Sequence, residues 1–245
     1  MRYKTAPLME ALFELHCEGA VWDTSVRERL EAHFRPDFSG KRDVMQPVGL
    51  EVQFGPDPQV QQGLRSAPER VRLWTVDNTR LVQFAANMCA YNVTPPYTHF
   101  VDYLPTIRVL VEAYFKETKP QQLSALGQRY INKVVLPKKS DAKTFFALYP
   151  RLPAEVAREH PPFSMQVQTA VIKGGGQVVL TLTYQGRDKG SPTYVLDLYA
   201  RSSQPVAPDW ATIEAWQREA HDAIRRCFEL AITPKSRRLF REQEG

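Results

Sequence analysis

The segment LSALGQRYINKVVL spans residues 123–136 near the middle of the chain. Its apolar, aromatic and β-branched residues predict one long strand, and Pro137 ends it because proline cannot continue a ladder of hydrogen bonds. This strand opens the second half of the chain. The elements predicted after it follow the same order as those predicted after the first strand, residues 8–17, so the fold is inferred by comparing the two halves.

The first half is predicted to run strand, helix, three strands, helix. Ser25 and Glu28 fit a capping box for the first helix. Pro105 falls inside the last helix, where we expect a kink or a new helix start because proline lacks a backbone N–H. The predicted strands are 8–17, 44–54, 70–76 and 80–93, the predicted helices are 21–34 and 100–116, and a loop is predicted at 55–68.

The second half repeats this order. A short helix at 141–149 follows the long strand, and Asp209 is predicted to cap the last long helix, whose apolar residues recur at helical spacing. Gly174, Gly175 and Gly176 lie between two strands, which predicts a hairpin tip rather than a phosphate-binding loop. The three predicted strands are 163–173, 178–185 and 193–201.

The order of elements predicts an α+β fold built from two pseudo-repeats, residues 1–120 and 121–245. Each would be a helix-grip-like unit, in which an antiparallel sheet packs on a long C-terminal helix. The halves share no obvious sequence identity, and we expect them to form one composite body. Repeats of the TATA-binding protein have a similar order, but a shared fold does not give a shared function.

The composition is that of a folded chain, since 43% of the 245 residues are hydrophobic and 24% are charged. No apolar run approaches the roughly 18 residues that a membrane helix needs. Glu10 and Glu14 interrupt the stretch where a signal peptide would be apolar, so we expect a cytoplasmic protein. Cys17, Cys89 and Cys227 form no CxxC pair, which excludes a zinc ribbon and favours buried thiols.

The chain is mildly basic, with a net charge of +5 and an isoelectric point near 9.1. This balance favours an acidic partner without identifying one. Arg70, Arg72 and Trp74 share one face of a predicted strand, and aromatic side chains beside arginines can stack on bases and contact phosphates. A normal exposed strand face with one half-buried Trp explains the same pattern, so both interpretations stay open.

A second candidate binding spot lies on the central strand. Tyr130 and Asn132 share one face of it, and Arg129 points to the other. Asn is unfavourable in a strand, so its presence requires a reason. One interpretation is a polar recognition spot on the concave face. The favoured interpretation is a structural network, in which Arg129 pairs with Asp197 or Glu14.

Glu10, Glu14 and His16 share one face of the first strand. Two carboxylates could serve acid–base chemistry, and the histidine makes a metal site conceivable. One solvated face of an amphipathic strand is the favoured interpretation. No GxSxG, HExxH or Cys–His pattern occurs, and His221 is interpreted as a packing and hydrogen-bonding residue. The sequence therefore predicts no enzyme, no cofactor and no metal.

Four segments resemble a known family when they are taken together. They are RYKTAPLMEALFELHCE (2–18), LGQRYINKVVLP (126–137), VLDLYARS (195–202) and AHDAIRRCFELAIT (220–233). They are similar, in the same order, to segments of the "sporadically distributed" uncharacterised family of bacterial proteins, whose members are about as long as this chain. The resemblance implies no enzyme mechanism. It suggests an accessory protein of mobile or defence-associated gene clusters.

These observations favour a non-enzymatic binding protein. It would hold a protein partner or a small ligand on its curved sheet or in a groove between the repeats, and it could be a homo-oligomer. The alternative is a nucleic-acid-binding protein that uses the face of Arg70, Arg72 and Trp74. A hydrolytic or metal-dependent enzyme built on Glu10, Glu14 and His16 ranks third.

Overall fold

The structure is a computed structural model and describes residues 2–46, 48–53, 61–66, 68–151, 153, 162–169, 172–173 and 175–243. Long helices pack on one face of a nine-stranded antiparallel sheet. The α+β class expected from the sequence is therefore confirmed. Several residues of the expected elements lie outside the described residues. They are Gly174 of the hairpin tip, residues 55–60 and 67 of the loop, and residues 47, 54, 170 and 171 of the strands.

The elements are numbered in chain order. The strands are β1 Arg2–Tyr3, β2 Leu8–Glu18, β3 Arg42–Met45, β4 Val48–Gln53, β5 Gln61–Ser66, β6 Arg70–Trp74, β7 Arg80–Ala85, β8 Met88–Val93, β9 Gln122–Val135, β10 Ser164–Thr169, β11 Gly176–Asp188, β12 Ser191–Ser202 and β13 Glu242–Gln243. The helices are α1 Thr24–Phe34, α2 Phe100–Thr118, α3 Trp210–Ala231 and α4 Pro234–Leu239.

The large sheet has the strand order β10-β11-β12-β9-β2-β8-β7-β6-β3. Every neighbouring pair in it is antiparallel. Its centre is the pair β2 and β9, the first strands of the two halves, in a register that places Leu15 opposite Leu126. The pairs β1–β13 and β4–β5 form two small separate sheets.

Several local predictions were wrong. The expected strand 44–54 is two strands, β3 and β4, which lie in different sheets, and the expected strand 80–93 is the antiparallel hairpin of β7 and β8. The cap of α1 is Asp23, whose side chain accepts from Val26 N at 2.8 Å, instead of the Ser25 box. The expected helix 141–149 is a single 3₁₀ turn, because residues 145–148 extend along the end of α3 and Ala147 N donates to Ala231 O. Strand β5 lies where a loop was expected.

The helix α2 runs through Pro105 without a new start. Pro105 lies in the second turn and is exposed to solvent, so its ring displaces no core residue. The cap of α3 is Asp209, as predicted, and its side chain accepts from Thr212 N at 2.9 Å.

One core lies between the sheet and the helices, on what we call the helix face of the sheet. Strand β2 shows why, because its alternate residues Ala11, Phe13, Leu15 and Cys17 are buried there. The same core continues across both halves. Its members on the helices include Leu30, Leu110, Tyr114, Ile213, Ala220 and Ile224.

All three cysteines, Cys17, Cys89 and Cys227, are free and buried in this core. The Cys17 Sγ lies 3.5 Å from the Tyr114 hydroxyl. Burial raises the pKa of each thiol, because a thiolate is poorly solvated in the interior. The three groups are therefore neutral thiols at physiological pH.

The opposite side of the sheet, here called the open face, carries polar side chains. In the second half, Arg129, Asp197 and Tyr199 are half-buried there. In the first half, Gln83 and Asn92 are buried, and Gln83 Nε2 donates to Asn92 Oδ1 at 2.7 Å. A small apolar cluster, separate from the core, also lies on this face and consists of Ala85, Met88 and Ala90.

Gly127 of β9 allows a hydrogen bond to cross the junction of the two halves. The Tyr199 hydroxyl on β12 donates to Glu14 Oε1 on β2 at 2.6 Å, and β9 lies between these strands. A Cβ at Gly127 would lie 2.8 Å from Glu14 Cγ and 2.9 Å from the Tyr199 hydroxyl oxygen. Any larger residue would therefore push the two groups apart.

Gly127→Ala is expected to lower the free energy of unfolding by about 1–3 kcal/mol, the usual cost of an overpacked contact. Chemical denaturation of the wild type and the variant measures it. The matched control is the same change in a Glu14→Ala background, where the clashing carboxyl is gone and the cost is smaller. An equal cost in both backgrounds would contradict this explanation.

Candidate functional site

A groove of about 400 Å³ lies at the junction of the two halves, between the start of α2 and the middle of α3. Its volume falls within the range of roughly 300–1,000 Å³ that is typical of small-molecule sites. The residues that line it are His99, Phe100, Val101, Arg218, His221 and Asp222. The first half contributes three of these and the second half contributes the other three.

His221 connects the groove to the interior. It lies on α3 next to Ala220, one of the residues that this helix buries in the core. Its ring stacks on Phe100, with the ring centroids 4.6 Å apart and an interplanar angle of 8°. Its Nδ1 lies 2.9 Å from the hydroxyl of Tyr130 on β9. The ring is therefore held from two sides while one edge borders the groove.

Tyr130 belongs to a buried hydrogen-bond network. Its hydroxyl oxygen accepts a hydrogen bond from Gln128 Nε2 at 3.0 Å and lies 3.2 Å from the Tyr97 hydroxyl. A phenol has one proton to donate. If Tyr97 donates to Tyr130, and Tyr130 donates to Nδ1 of His221, then every hydroxyl proton in this network has an acceptor. The reverse direction would leave the Tyr97 proton without one among the described residues.

This direction determines which tautomer His221 adopts. A neutral imidazole that accepts at Nδ1 carries its proton on Nε2. Nε2 makes no hydrogen bond with another described residue. His221 therefore presents an N–H donor to the groove.

The charge state of the network supports the same assignment. Burial lowers the pKa of His221, with Asp222 opposing this shift and Arg225 adding to it, so the ring is neutral at physiological pH. Burial raises the pKa of Tyr130 to about 12 and also raises the pKa of Tyr97. Both phenols therefore keep their protons.

The charged residues of the groove have partners along α3. Arg218 pairs with Glu214 at 2.6 Å, and Arg225 lies 3.8 Å from Asp222. These exposed pairs are weak, since water screens them. The Arg218 guanidinium has five N–H donors and can contact a ligand while it keeps this partner.

A cavity of about 20 Å³ lies behind this network. Tyr130, Gln128 and Tyr97 line it together with apolar side chains. Gln128 Oε1 is buried without a hydrogen-bond partner among the described residues. The space is sufficient for one water molecule, which needs about 10–15 Å³.

The predicted residues of the central strand separate onto two faces. Tyr130 lies on the helix face in the network above, and Asn132 lies beside it, donating to Leu196 O at 3.1 Å. Arg129 lies on the open face with a bidentate ion pair to Asp197, at 2.9 and 2.5 Å. The geometry of Arg129 and Asn132 thus matches the structural interpretation.

The other predicted binding residues, Arg70, Arg72 and Trp74, share the open face of β6. They do not form an unpaired basic surface, because Arg72 is bound in bidentate fashion to Asp43, at 2.5 and 2.9 Å. Trp74 Nε1 is buried without a partner among the described residues. Arg70 makes no ion pair within the described chain.

Glu10 does not converge with Glu14 and His16. Four strand residues span about 13 Å, so Glu10 and Glu14 are too far apart to share a ligand. Asn92 Nδ2 donates to Glu10 at 2.6 Å, and His16 Nε2 lies 3.6 Å from Glu14. Within the described ranges, no three His, Cys, Asp or Glu side chains could hold a metal ion. The hypothesis of a metal site on these residues is therefore wrong.

The environment of Glu14 is that of a paired carboxylate. Burial raises the pKa of this group, but the hydrogen bond from Tyr199, the neighbouring His16 and the charge of Arg70 lower it more. The net shift is downward, so Glu14 stays ionised at physiological pH. It serves as an acceptor that ties β2 to β12.

Sequence reasoning missed Tyr97 and Gln128 and interpreted His221 only as a packing residue. No local signal identifies them, since they come from a loop, a strand and a helix that lie far apart in the sequence. Tyr97 follows two prolines and precedes α2, a position without periodicity. Only the fold brings these side chains to Tyr130.

No family model matches the chain, and no curated protein matches it. The resemblance of the four segments therefore stays a prediction. No helix in the described part of the chain is long and apolar enough to cross a membrane.

Replacing Tyr130 tests the network. Tyr130→Phe leaves Gln128, Tyr97 and His221 without their shared partner, so we expect the free energy of unfolding to fall by about 1–3 kcal/mol. Tyr97→Phe, the matched control, removes only the terminal donor and should cost less. Urea denaturation measures both. A larger loss in Tyr97→Phe would contradict the assigned direction.

The lowered pKa of His221 predicts a pH dependence of stability. The unfolded chain, with an ordinary pKa of 6.5, takes up this proton before the folded protein does. Stability is therefore complete above about pH 6.5 and decreases as the pH falls below it. His221→Asn keeps an acceptor near Nδ1 and does not titrate. The free energy of unfolding of this variant should fall less steeply between about pH 7 and 5 than that of the wild type. The same pH dependence in both proteins would contradict a lowered pKa at His221.

Proposed function

We propose that this protein is a non-enzymatic binding protein that holds a small ligand in the groove between α2 and α3. The observation that carries the proposal is the hydrogen-bond chain from Tyr97 through Tyr130 to His221. It fixes the tautomer and the orientation of a donor at the wall of the groove before any ligand arrives. Such preorganisation lowers the entropic cost of binding.

The groove chemistry specifies a ligand with an oxygen acceptor, such as a carboxylate. His221 Nε2–H and the Arg218 guanidinium are the donors that would meet it. Val101 is exposed at the groove and offers apolar contact to the rest of the ligand. Asp222 lies on the same wall and disfavours a highly charged anion.

The position of the groove fits the proposal that the fold contains two helix-grip-like pseudo-repeats, residues 1–120 and 121–245. The strand order supports a duplication: β6, β7, β8 and β2 neighbour one another in the first half just as β10, β11, β12 and β9 do in the second. In both halves the strand next to the central one, β8 or β12, is followed in the chain by the long helix. The groove lies where these two helices meet.

The cellular role is proposed from the family resemblance. A binding protein without chemistry of its own suits an accessory role in mobile or defence-associated gene clusters. A protein partner would then respond to the ligand-bound state. The three free thiols suit a reducing compartment such as the cytoplasm.

The binding site is tested with a panel of small carboxylates, including benzoate, and with benzyl alcohol as the matched neutral compound. Binding is followed through the methyl resonances of Val101 and the ring resonance of His221 by NMR. We expect carboxylates to shift both resonances and benzyl alcohol to shift them less, because only the carboxylate accepts strong hydrogen bonds from both donors.

Arg218→Gln should weaken binding by about tenfold, which corresponds to roughly 1.4 kcal/mol. Arg29→Gln is the control, because Arg29 is a similarly exposed and paired arginine on α1, outside the groove. Carboxylates that leave the groove resonances unchanged, or equal weakening by both substitutions, would overturn the proposal.

Nucleic-acid binding is the alternative proposal and rests on fewer groups. Of the two arginines on the predicted basic face, Arg72 is neutralised by Asp43, while Arg70 has no ion pair among the described residues. A salt-sensitive electrophoretic shift with short DNA or RNA that Arg70→Glu/Arg72→Glu abolishes would favour it. The absence of a shift at low salt would reject it.

A further inference from the structure

The two edges of the large sheet differ in how they are protected. An edge strand exposes unpaired N–H and C=O groups, and natural proteins usually blunt such edges with charges, prolines or short strands. The edge strand β3 has only four residues, and two of them are charged. Arg42 binds Glu31 of α1, and Asp43 binds Arg72 of β6.

The other edge strand, β10, lacks these devices. Its sequence, SMQVQT, contains no charged residue and no proline. It pairs with β11 on one side, and no described strand pairs with the other side. Val167 is 37% exposed, and Gln166 and Gln168 are also exposed.

We infer that β10 pairs antiparallel with β10 of a second copy of this chain, which makes one continuous sheet across a two-fold axis. In such a pair the residue on the axis faces itself, so a charge at that position would meet a like charge. The uncharged sequence removes this repulsion. A strand that pairs with a charged partner strand would carry complementary charges, and β10 carries none.

Side-chain alternation limits the register, because residues paired across the axis must lie on the same face of the sheet. With Gln166 opposite itself, Met165 lies opposite Val167 on the helix face and Ser164 lies opposite Gln168 on the open face. Both contacts are compatible, apolar with apolar and polar with polar. The pairing thus extends both faces without a buried mismatch.

The interface predicts a reversible dimer. One pair of six-residue strands buries less than the roughly 1,200–2,000 Å² of stable complexes. We therefore expect a concentration-dependent equilibrium in solution. This dimer is independent of the groove, which lies on the helices of one chain.

Sedimentation velocity of the full chain over a range of concentrations tests the inference. We expect the wild type to shift from monomer to dimer and Val167→Lys to weaken association at least tenfold, because it places an ammonium group against an apolar partner. Val44→Lys is the control on the opposite edge, where Val44 is 43% exposed, and it should associate like the wild type. A wild type that stays monomeric, or equal effects of the two substitutions, would overturn the inference.

A charge-exchange experiment tests the pairing itself. Gln166→Lys and Gln166→Glu should each associate less than the wild type, because like charges then lie near the axis. Mixing the two variants should restore a dimer with one copy of each. Association that is unaffected by either variant, or not restored in the mixture, would contradict self-pairing of β10. Circular dichroism confirms that each variant is folded.

Discussion

The antiparallel pairing of β2 with β9 is the constraint on which the rest of this structure depends. It joins the first strands of the two halves over a register that runs from Leu8 opposite Asn132 to Glu18 opposite Gln122. Because side chains alternate, a slip of one residue would turn Phe13 and Leu15 to the open face and Glu14 into the core. The hydrophobic pattern therefore excludes every alignment that is shifted by an odd number of residues.

Both networks at the junction follow from that alignment. On the open face, Glu14 lies beside Gly127, where it can accept from Tyr199. On the helix face, Tyr130 lies below α3, where it meets His221. The helices α2 and α3 approach each other because their halves share this sheet, and the groove is the space that remains between them. The structural core and the candidate site thus have a common origin.

The sequence predicted the features that depend on local patterns. Alternation placed β2 and β9 within one residue of their observed ends, and Asp209 was identified as a cap because its chemistry acts on the next turn. Residues 141–149 were misassigned, since contacts with the end of α3 override their helical pattern. The Tyr97–Tyr130–His221 network could not be predicted, because its members lie 33 and 91 residues apart in sequence. Arg129 and Asp197 were one of two pairings considered, and only the strand register distinguishes them.

The buried thiols give the protein a built-in reporter of its own opening. Cys17 and Cys89 lie on the helix face of strands β2 and β8 in the first half, and Cys227 lies on the long helix of the second half. A thiol reagent reaches them only when the surrounding structure opens, since the reactive thiolate is suppressed in the interior. Alkylation rates at the individual cysteines therefore measure separately how often each half exposes its interior under native conditions.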